Sequence, residues 1–74
     1  MGNAVVLRVS SARRGTAPRV WYEFAPIVDG KPRRRADHMM ASAESAALRA
    51  RNYGFEPADI VLDYDVEQGR IIAK

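Results

Sequence analysis

The dipeptide Asp29-Gly30 is the feature that most limits how this chain can fold. It lies between Val28 and Lys31, and a type I′ turn needs positive φ at two consecutive residues, which Asp-Gly supplies readily. Apolar and polar residues alternate before it, with one face formed by Val20, Tyr22 and Phe24 and the other by Arg19, Trp21, Glu23 and Ala25. The sequence therefore predicts a strand from Arg19 to Val28 that reverses at this turn. The residues that follow form either a short, solvent-facing return strand or an extended arm.

An earlier strand is predicted from a run of β-branched residues near the start of the chain. Val5, Leu7 and Val9 alternate with positions that become polar at Arg8 and Ser10, which predicts a strand with one buried face. Residues 11–18 contain serine, glycine, threonine and proline without an apolar period. We expect them to form a loop that carries Arg13 and Arg14.

A helix is predicted from a stripe of apolar and small residues at helical spacing, with Gly54 as its stop signal. The stripe consists of Met39, Met40, Ala43, Ala46, Ala47, Ala50 and Tyr53. Its start has two interpretations. Asp37 could cap a helix that includes both methionines, or Ser42 could cap a shorter helix with Glu44 in its first turn.

The remainder of the chain predicts a final hairpin. Residues 56–59 are expected to be a linker, and residues 67–70 a turn with Gly69 in the left-handed conformation before a last strand over 71–73. Between the linker and the turn, alternation predicts a half-buried strand whose buried positions are Ile60, Leu62, Tyr64 and Val66. The order β-β-(β)-α-β-β predicts one α+β domain over residues 1–74, an antiparallel sheet of four to five strands with one helix packed on one face.

The charges are unevenly distributed along the chain. Residues 1–35 carry eight cations against two acids, whereas residues 36–74 carry four cations against seven acids. Arginine pairs bidentately with phosphate or carboxylate, and a tryptophan among arginines suits base stacking. The predicted binding surface is therefore Arg13, Arg14, Arg19, Trp21, Lys31, Arg33, Arg34 and Arg35. Alternatively, Trp21 belongs to a second hydrophobic cluster, and the cations keep the domain soluble or protect a sheet edge.

Catalytic and metal chemistry find little support in the sequence. The absence of cysteine excludes disulfides, thiolate nucleophiles and cysteine-based zinc sites. His38, beside Asp37, is expected to be structural or solvated, and Asp63 and Asp65 have no third metal ligand at suitable spacing. We therefore expect a non-enzymatic protein without catalytic residues, metal or cofactor. No apolar run approaches the roughly 20 residues of a membrane span, so we expect a cytoplasmic protein without membrane contact.

Two family resemblances extend these expectations. Part of the chain resembles the arm-type DNA-binding domain of tyrosine integrases, whose three-stranded sheet enters the major groove. The residues that carry this resemblance are Trp21-Tyr22-Glu23-Phe24, Asp29-Gly30-Lys31 and Arg33-Arg34-Arg35, followed by an alanine-rich helix. The match covers roughly residues 19–53. The chain departs from that family because a further β-hairpin follows and no integrase catalytic domain does. This resemblance implies direct DNA binding.

The second resemblance covers more of the chain. The layout of the chain is similar to that of small phage proteins, some anti-CRISPR inhibitors of type I systems among them. The elements that carry this similarity are two strands, then Ala41-Ser42-Ala43-Glu44-Ser45-Ala46, then the stretch from Ile60 to Gly69 with a closing strand. This resemblance implies a stoichiometric inhibitor. Its partner would be a host protein or ribonucleoprotein complex, namely an RNA-guided surveillance complex, and the inhibitor would block target DNA. The alternatives are direct contact with DNA or RNA, and a homodimer or larger structural oligomer. Replacing Arg33, Arg34 and Arg35 together should leave folding almost intact, because changes on an exposed surface usually cost under about 0.5 kcal/mol.

Overall fold

The computed structural model describes residues 2–12, 15–35 and 39–72. These residues form the strands β1 (Gly2–Ser11), β2 (Arg19–Val28), β3 (Lys31–Pro32), β4 (Phe55–Asp65) and β5 (Arg70–Ile72), and the helix α1 (Ala43–Asn52). The strands make a sheet in the order β3-β2-β1-β4-β5, with the helix on one face. The predicted α+β class is confirmed.

The sheet is mixed, which corrects the expected antiparallel sheet. β1 pairs antiparallel with β2 and parallel with β4, so that Val9 lies opposite Trp21 on one side and Tyr64 on the other. The chain path explains the parallel pair. Residues 31–33 and Met40 pair along the outer edge of β2 in the direction of β1, α1 runs back across the face, and β4 then runs forward again.

Both faces of β1 are buried, whereas the sequence predicted one buried face. Val5, Leu7 and Val9 pack with Ala25 on the face away from the helix. Ala4, on the other face, packs with Phe24 and Ala50 of the helix. The difference arises because α1 covers one face while the sheet curls strongly and covers the other with its own side chains.

The predicted type I′ turn is confirmed. Asp29 and Gly30 have φ values of 53° and 77°, and Val28 pairs with Lys31 across the turn. The return strand is short, but the chain stays on the same edge: the N–H of Arg33 donates to the carbonyl of Pro26 at 2.7 Å. The Tyr22 and Met40 backbones then exchange two hydrogen bonds of 2.7 and 2.8 Å. Lys31 to Arg33 and Met40 therefore cover parts of the outer edge of β2.

The helix begins after Ser42, which confirms the shorter of the two predicted helices. The Ser42 hydroxyl accepts a hydrogen bond from the Ser45 N–H at 3.1 Å, and Gly54 ends the helix with a φ of 87°. Met40 lies in the bridge to Tyr22 instead, and Asp37 lies outside the described residues. Small side chains at Ala46 and Ala50, both fully buried, allow the helix to lie close to the sheet.

A bulge in β4 departs from the predicted pattern. The strand starts at Phe55, so the expected linker over residues 56–59 is wrong. Ala4 lies opposite Pro57, but Val6 lies opposite Val61, which gives β4 two extra residues and turns Ile60 outward, with 53% of its surface exposed. Leu62, Tyr64 and Val66 pack against the buried cluster as predicted. Gly69 has the predicted positive φ, 67°.

Candidate interaction surface

The structure places the predicted basic residues at two ends of β2. Arg19 lies opposite Ser11 at the start of the strand, whereas Lys31 lies opposite Val28 at its end. Ten strand residues separate these ends, or about 30 Å at 3.3 Å per residue. Arg13 and Arg14 lie outside the described residues. The cations at the two ends therefore do not form one patch.

Arg34 lies inside the fold, against a fully buried carboxylate. Glu23 has 0% exposure and accepts hydrogen bonds from Arg34 Nε to Oε1 at 3.0 Å and from Arg34 Nη2 to Oε2 at 3.1 Å. Trp21 Nε1 donates to the same Oε2 at 2.6 Å. A bidentate arginine with a third donor is the environment in which a carboxylate can be buried. Arg34 is therefore bound to the interior and is not a free contact residue.

The Arg34 side chain also joins strands that are not neighbours in the sheet. Its guanidinium lies 5.0 Å from the ring centroid of Tyr64, which belongs to β4, while Glu23 belongs to β2. β1 lies between these two strands. Arg34 thus spans the face of the curled sheet, and a cation over an aromatic ring adds to its attachment.

Other residues of the predicted binding surface also make contacts within the molecule. Trp21 is half-buried and packs against the hydrophobic cluster, which confirms the alternative interpretation of this residue. Arg19 lies over its ring at 5.4 Å. Arg35 is half-buried and lies 5.9 Å from the ring of Tyr53, at the end of the helix. Sequence reasoning missed Glu23 as the partner of Arg34; the signal was an acid on the same strand face as Trp21 and Ala25.

The exposed cations of the turn are Lys31 and Arg33. Val28, opposite Lys31, exposes 45% of its surface. We call these three residues the hairpin tip. The type I′ hairpin places Val28 opposite Lys31, and Arg33 follows two residues further along the same edge. Among the described residues of the predicted basic surface, the tip and Arg19 remain exposed to a partner.

The acidic residues near the end of β4 have structural contacts. Asp65 accepts a hydrogen bond from the Glu67 N–H at 2.9 Å, and Glu67 accepts one from the Ala12 N–H at 2.6 Å. Asp63 lies 3.9 Å from a guanidinium nitrogen of Arg8. The Glu67 contact attaches the last turn to the end of β1. Some of the acidic residues in the second half of the chain therefore stabilise the fold.

His38, with Asp37, lies outside the described residues. Within the described ranges, no group of three or more histidine, cysteine or acidic side chains could hold a metal ion. The same part of the chain contains no helix of the length and apolar character that would cross a membrane.

A scan against protein-family models, a search of curated proteins and a search of solved structures each found no match to this chain. The integrase and anti-CRISPR resemblances stay predictions, and function has to be inferred from the surface itself.

Proposed function

We propose that this chain is a non-enzymatic binding protein that docks on a larger nucleic-acid-handling complex through the hairpin tip. The observation that carries the proposal is the exposure of Lys31 and Arg33 beside the exposed Val28. Trp21 and Arg34 are engaged within the fold, whereas Lys31 and Arg33 of the tip are exposed. An exposed apolar side chain beside cations suits a protein surface with an apolar contact point and acidic rim.

The narrower form of the proposal follows from the resemblance to anti-CRISPR proteins. In this form the chain, encoded by a phage or mobile element, acts in the host cytoplasm and occupies a surveillance complex so that target DNA cannot bind. A small rigid hairpin is suited to this role because it loses little conformational entropy on docking. Rim charges of this kind mainly raise the association rate and set specificity.

A charge-reversal pair tests the proposal. Lys31→Glu with Arg33→Glu changes the tip, and Arg49→Glu with Arg51→Glu makes the same change of charge at exposed positions of the helix. Both variants would be added to a purified type I surveillance complex, with co-purification and target-DNA binding as readouts. We expect the tip variant to lose binding and inhibition by at least about tenfold, while the helix variant keeps both. Equal losses in the two variants, or no inhibition by the unaltered protein, would reject the inhibitor proposal.

Direct duplex binding is the second candidate, favoured by the exposed Arg19 that lies over the Trp21 ring. Arg19, Lys31 and Arg33 are exposed. If each neutralises a phosphate, log affinity should fall with log salt with a slope of about −2.7, at roughly −0.9 per phosphate. Fluorescence anisotropy with a labelled duplex measures this slope. Absence of binding at about 50 mM salt, where such contacts are strongest, rejects this candidate.

A further inference from the structure

An apolar groove lies between the first turns of α1 and the bulged part of β4. It has a volume of about 270 Å³. Val6 and Ala47 line it from the sheet and the helix, Ile60 and Val61 line it from the bulge, and Glu44 and Asp59 also border it. None of these residues belongs to the hairpin tip.

The groove follows from two features of the sequence. The helix presents small alanine side chains here, and the two extra residues of the bulge move Ile60 away from the buried face. Ile60 and Val61 expose 53% and 47% of their surfaces. Adjacent large apolar side chains that are half exposed, next to a concave surface, are typical of a contact site. The two carboxylates give this site a negative border.

The hairpin tip has the complementary chemistry. Val28 is apolar and 45% exposed, and the exposed cations Lys31 and Arg33 lie beside it. A valine side chain is small enough to enter a groove of this volume. Its cations would then lie at the carboxylate border, where opposite charges favour docking.

We infer that the chain associates with a second copy of itself, the hairpin tip of one molecule seated in the α1–β4 groove of the next. Val28 contacts Ile60 and Val61 of the next molecule, and Lys31 and Arg33 face its Glu44 and Asp59. Because tip and groove are different surfaces, the contact is heterologous. A contact of this size is below that of stable interfaces, so the dissociation constant should be on the order of 0.1 mM.

This inference does not rest on the proposed function, although both use the hairpin tip. Self-association would compete with docking on a larger complex. The groove residues belong to self-association alone. A variant altered in the groove should therefore lose self-association and keep binding to the complex, which distinguishes a failure of one proposal from a failure of the other.

Two complementary charge reversals test the contact. The tip variant carries Lys31→Glu and Arg33→Glu, and the groove variant carries Glu44→Lys and Asp59→Lys; all four positions are exposed. Alone, each variant places like charges on both sides of the contact and should stay monomeric. A mixture of the two variants restores opposite charges, so we expect association to return. Sedimentation velocity measures it up to about 1 mM protein, with circular dichroism as the check that each variant is folded.

The control replaces the tip variant by Arg49→Glu with Arg51→Glu, which has the same net charge. Its tip and groove are unaltered, so it should self-associate as the unaltered protein does, whereas the tip variant should self-associate at least about tenfold more weakly. Association of the unaltered protein should also weaken between about 50 mM and 500 mM salt, because the border charges are screened. Three results would each overturn the inference: a monomer at about 1 mM, self-association that neither variant changes, or equal self-association of the control and the tip variant.

Discussion

At the residue scale, Glu23 determines which arginines are available on the surface. A buried carboxylate costs several kcal/mol unless it is paired and hydrogen-bonded, and here Arg34 and Trp21 together supply three hydrogen bonds. Arg34 therefore belongs to the fold. The expected surface exposure of Arg33, Arg34 and Arg35 is wrong for Arg34, whose side chain is only 26% exposed. Arg33, next to it in sequence, is exposed.

We expect Arg34→Ala to lower the free energy of unfolding by about 3 kcal/mol, because it leaves the buried Glu23 without its cation. Arg33→Ala is the matched control and should change stability by less than about 0.5 kcal/mol. Urea unfolding followed by Trp21 fluorescence measures both. Equal effects of the two substitutions would show that the buried pair does not stabilise the fold.

A second measurement isolates the pair itself. In a background with Glu23→Gln, the carboxylate charge is gone, so Arg34→Ala should cost at least about 1 kcal/mol less than it does in the unaltered protein. The double-mutant cycle, measured by the same urea unfolding, gives this difference. An unchanged cost would mean that Arg34 acts through its contact with Tyr64 alone.

At the element scale, two local signals define where the chain turns and where the helix begins. The Asp29-Gly30 turn positions the hairpin tip, and the Ser42 cap positions the helix wall of the groove. Both work through backbone geometry that depends on a few adjacent residues. Substitutions in the turn or the helix should therefore lower the free energy of unfolding through local backbone strain or local packing.

Gly30→Ala should destabilise the protein by about 1 to 2 kcal/mol, because a residue with a Cβ pays that cost at positive φ. Gly30 has a φ of 77° and open space around it, so strain in the backbone is the cause. Gly2→Ala is the control: an added Cβ there would meet the Phe55 ring at an ordinary 3.8 Å. Thermal unfolding followed by circular dichroism compares them, and a Gly30→Ala variant as stable as the control would contradict the turn geometry.

Ala50→Leu should destabilise the protein by about 1 to 3 kcal/mol, the usual effect of overpacking a core. Ala50 of α1 is fully buried against Phe24 of the sheet, and a larger side chain would push α1 away from the sheet. Arg51→Leu introduces the same residue at an exposed neighbouring position and serves as the control. The free energies from urea unfolding should differ by at least about 1 kcal/mol; a smaller difference would indicate a loosely packed helix.

At the scale of the whole molecule, the curl of the sheet lets a short chain bury both faces of its central strand. Leu7 is 1% exposed and lies in the cluster that the curl closes, whereas Ala4 and Phe24 lie beneath the helix. A domain of 74 residues has a stability on the order of 5 kcal/mol. Loss of one large side chain from β1 should therefore affect the entire fold.

Leu7→Ala should cost about 2 to 5 kcal/mol, which is comparable to the total stability, and most molecules should be unfolded or nearly so at 37 °C. Val20→Ala, at a strand position that is 50% exposed, should leave the fold intact. Far-ultraviolet circular dichroism and Trp21 fluorescence should report the loss together, because both faces of the sheet depend on β1. A Leu7→Ala variant with the melting temperature of the control would contradict this account.

The sequence by itself determined the features that depend on neighbouring residues. Positive φ at Gly30 and Gly69 follows from conformational preferences within a turn, so it could be predicted without knowing what packs nearby. For the helix cap, the sequence offered both Asp37 and Ser42, and the structure has Ser42. Leu62 and Tyr64 could likewise be assigned to a buried face from their alternation. The candidate site could be predicted only in part, since Lys31 and Arg33 are exposed as expected and Arg34 is not.

Only the tertiary structure decided which strands pair and what covers each face. The helical crossover places β4 parallel to β1, and the bulge exposes Ile60 although its alternation predicted burial. Glu23 is an acidic residue that is nevertheless buried in the fold, where it pairs with Arg34, whose guanidinium also lies over the ring of Tyr64. Local patterns specify the backbone and the alternation of side chains, whereas burial depends on residues distant in sequence that arrive only when the chain folds.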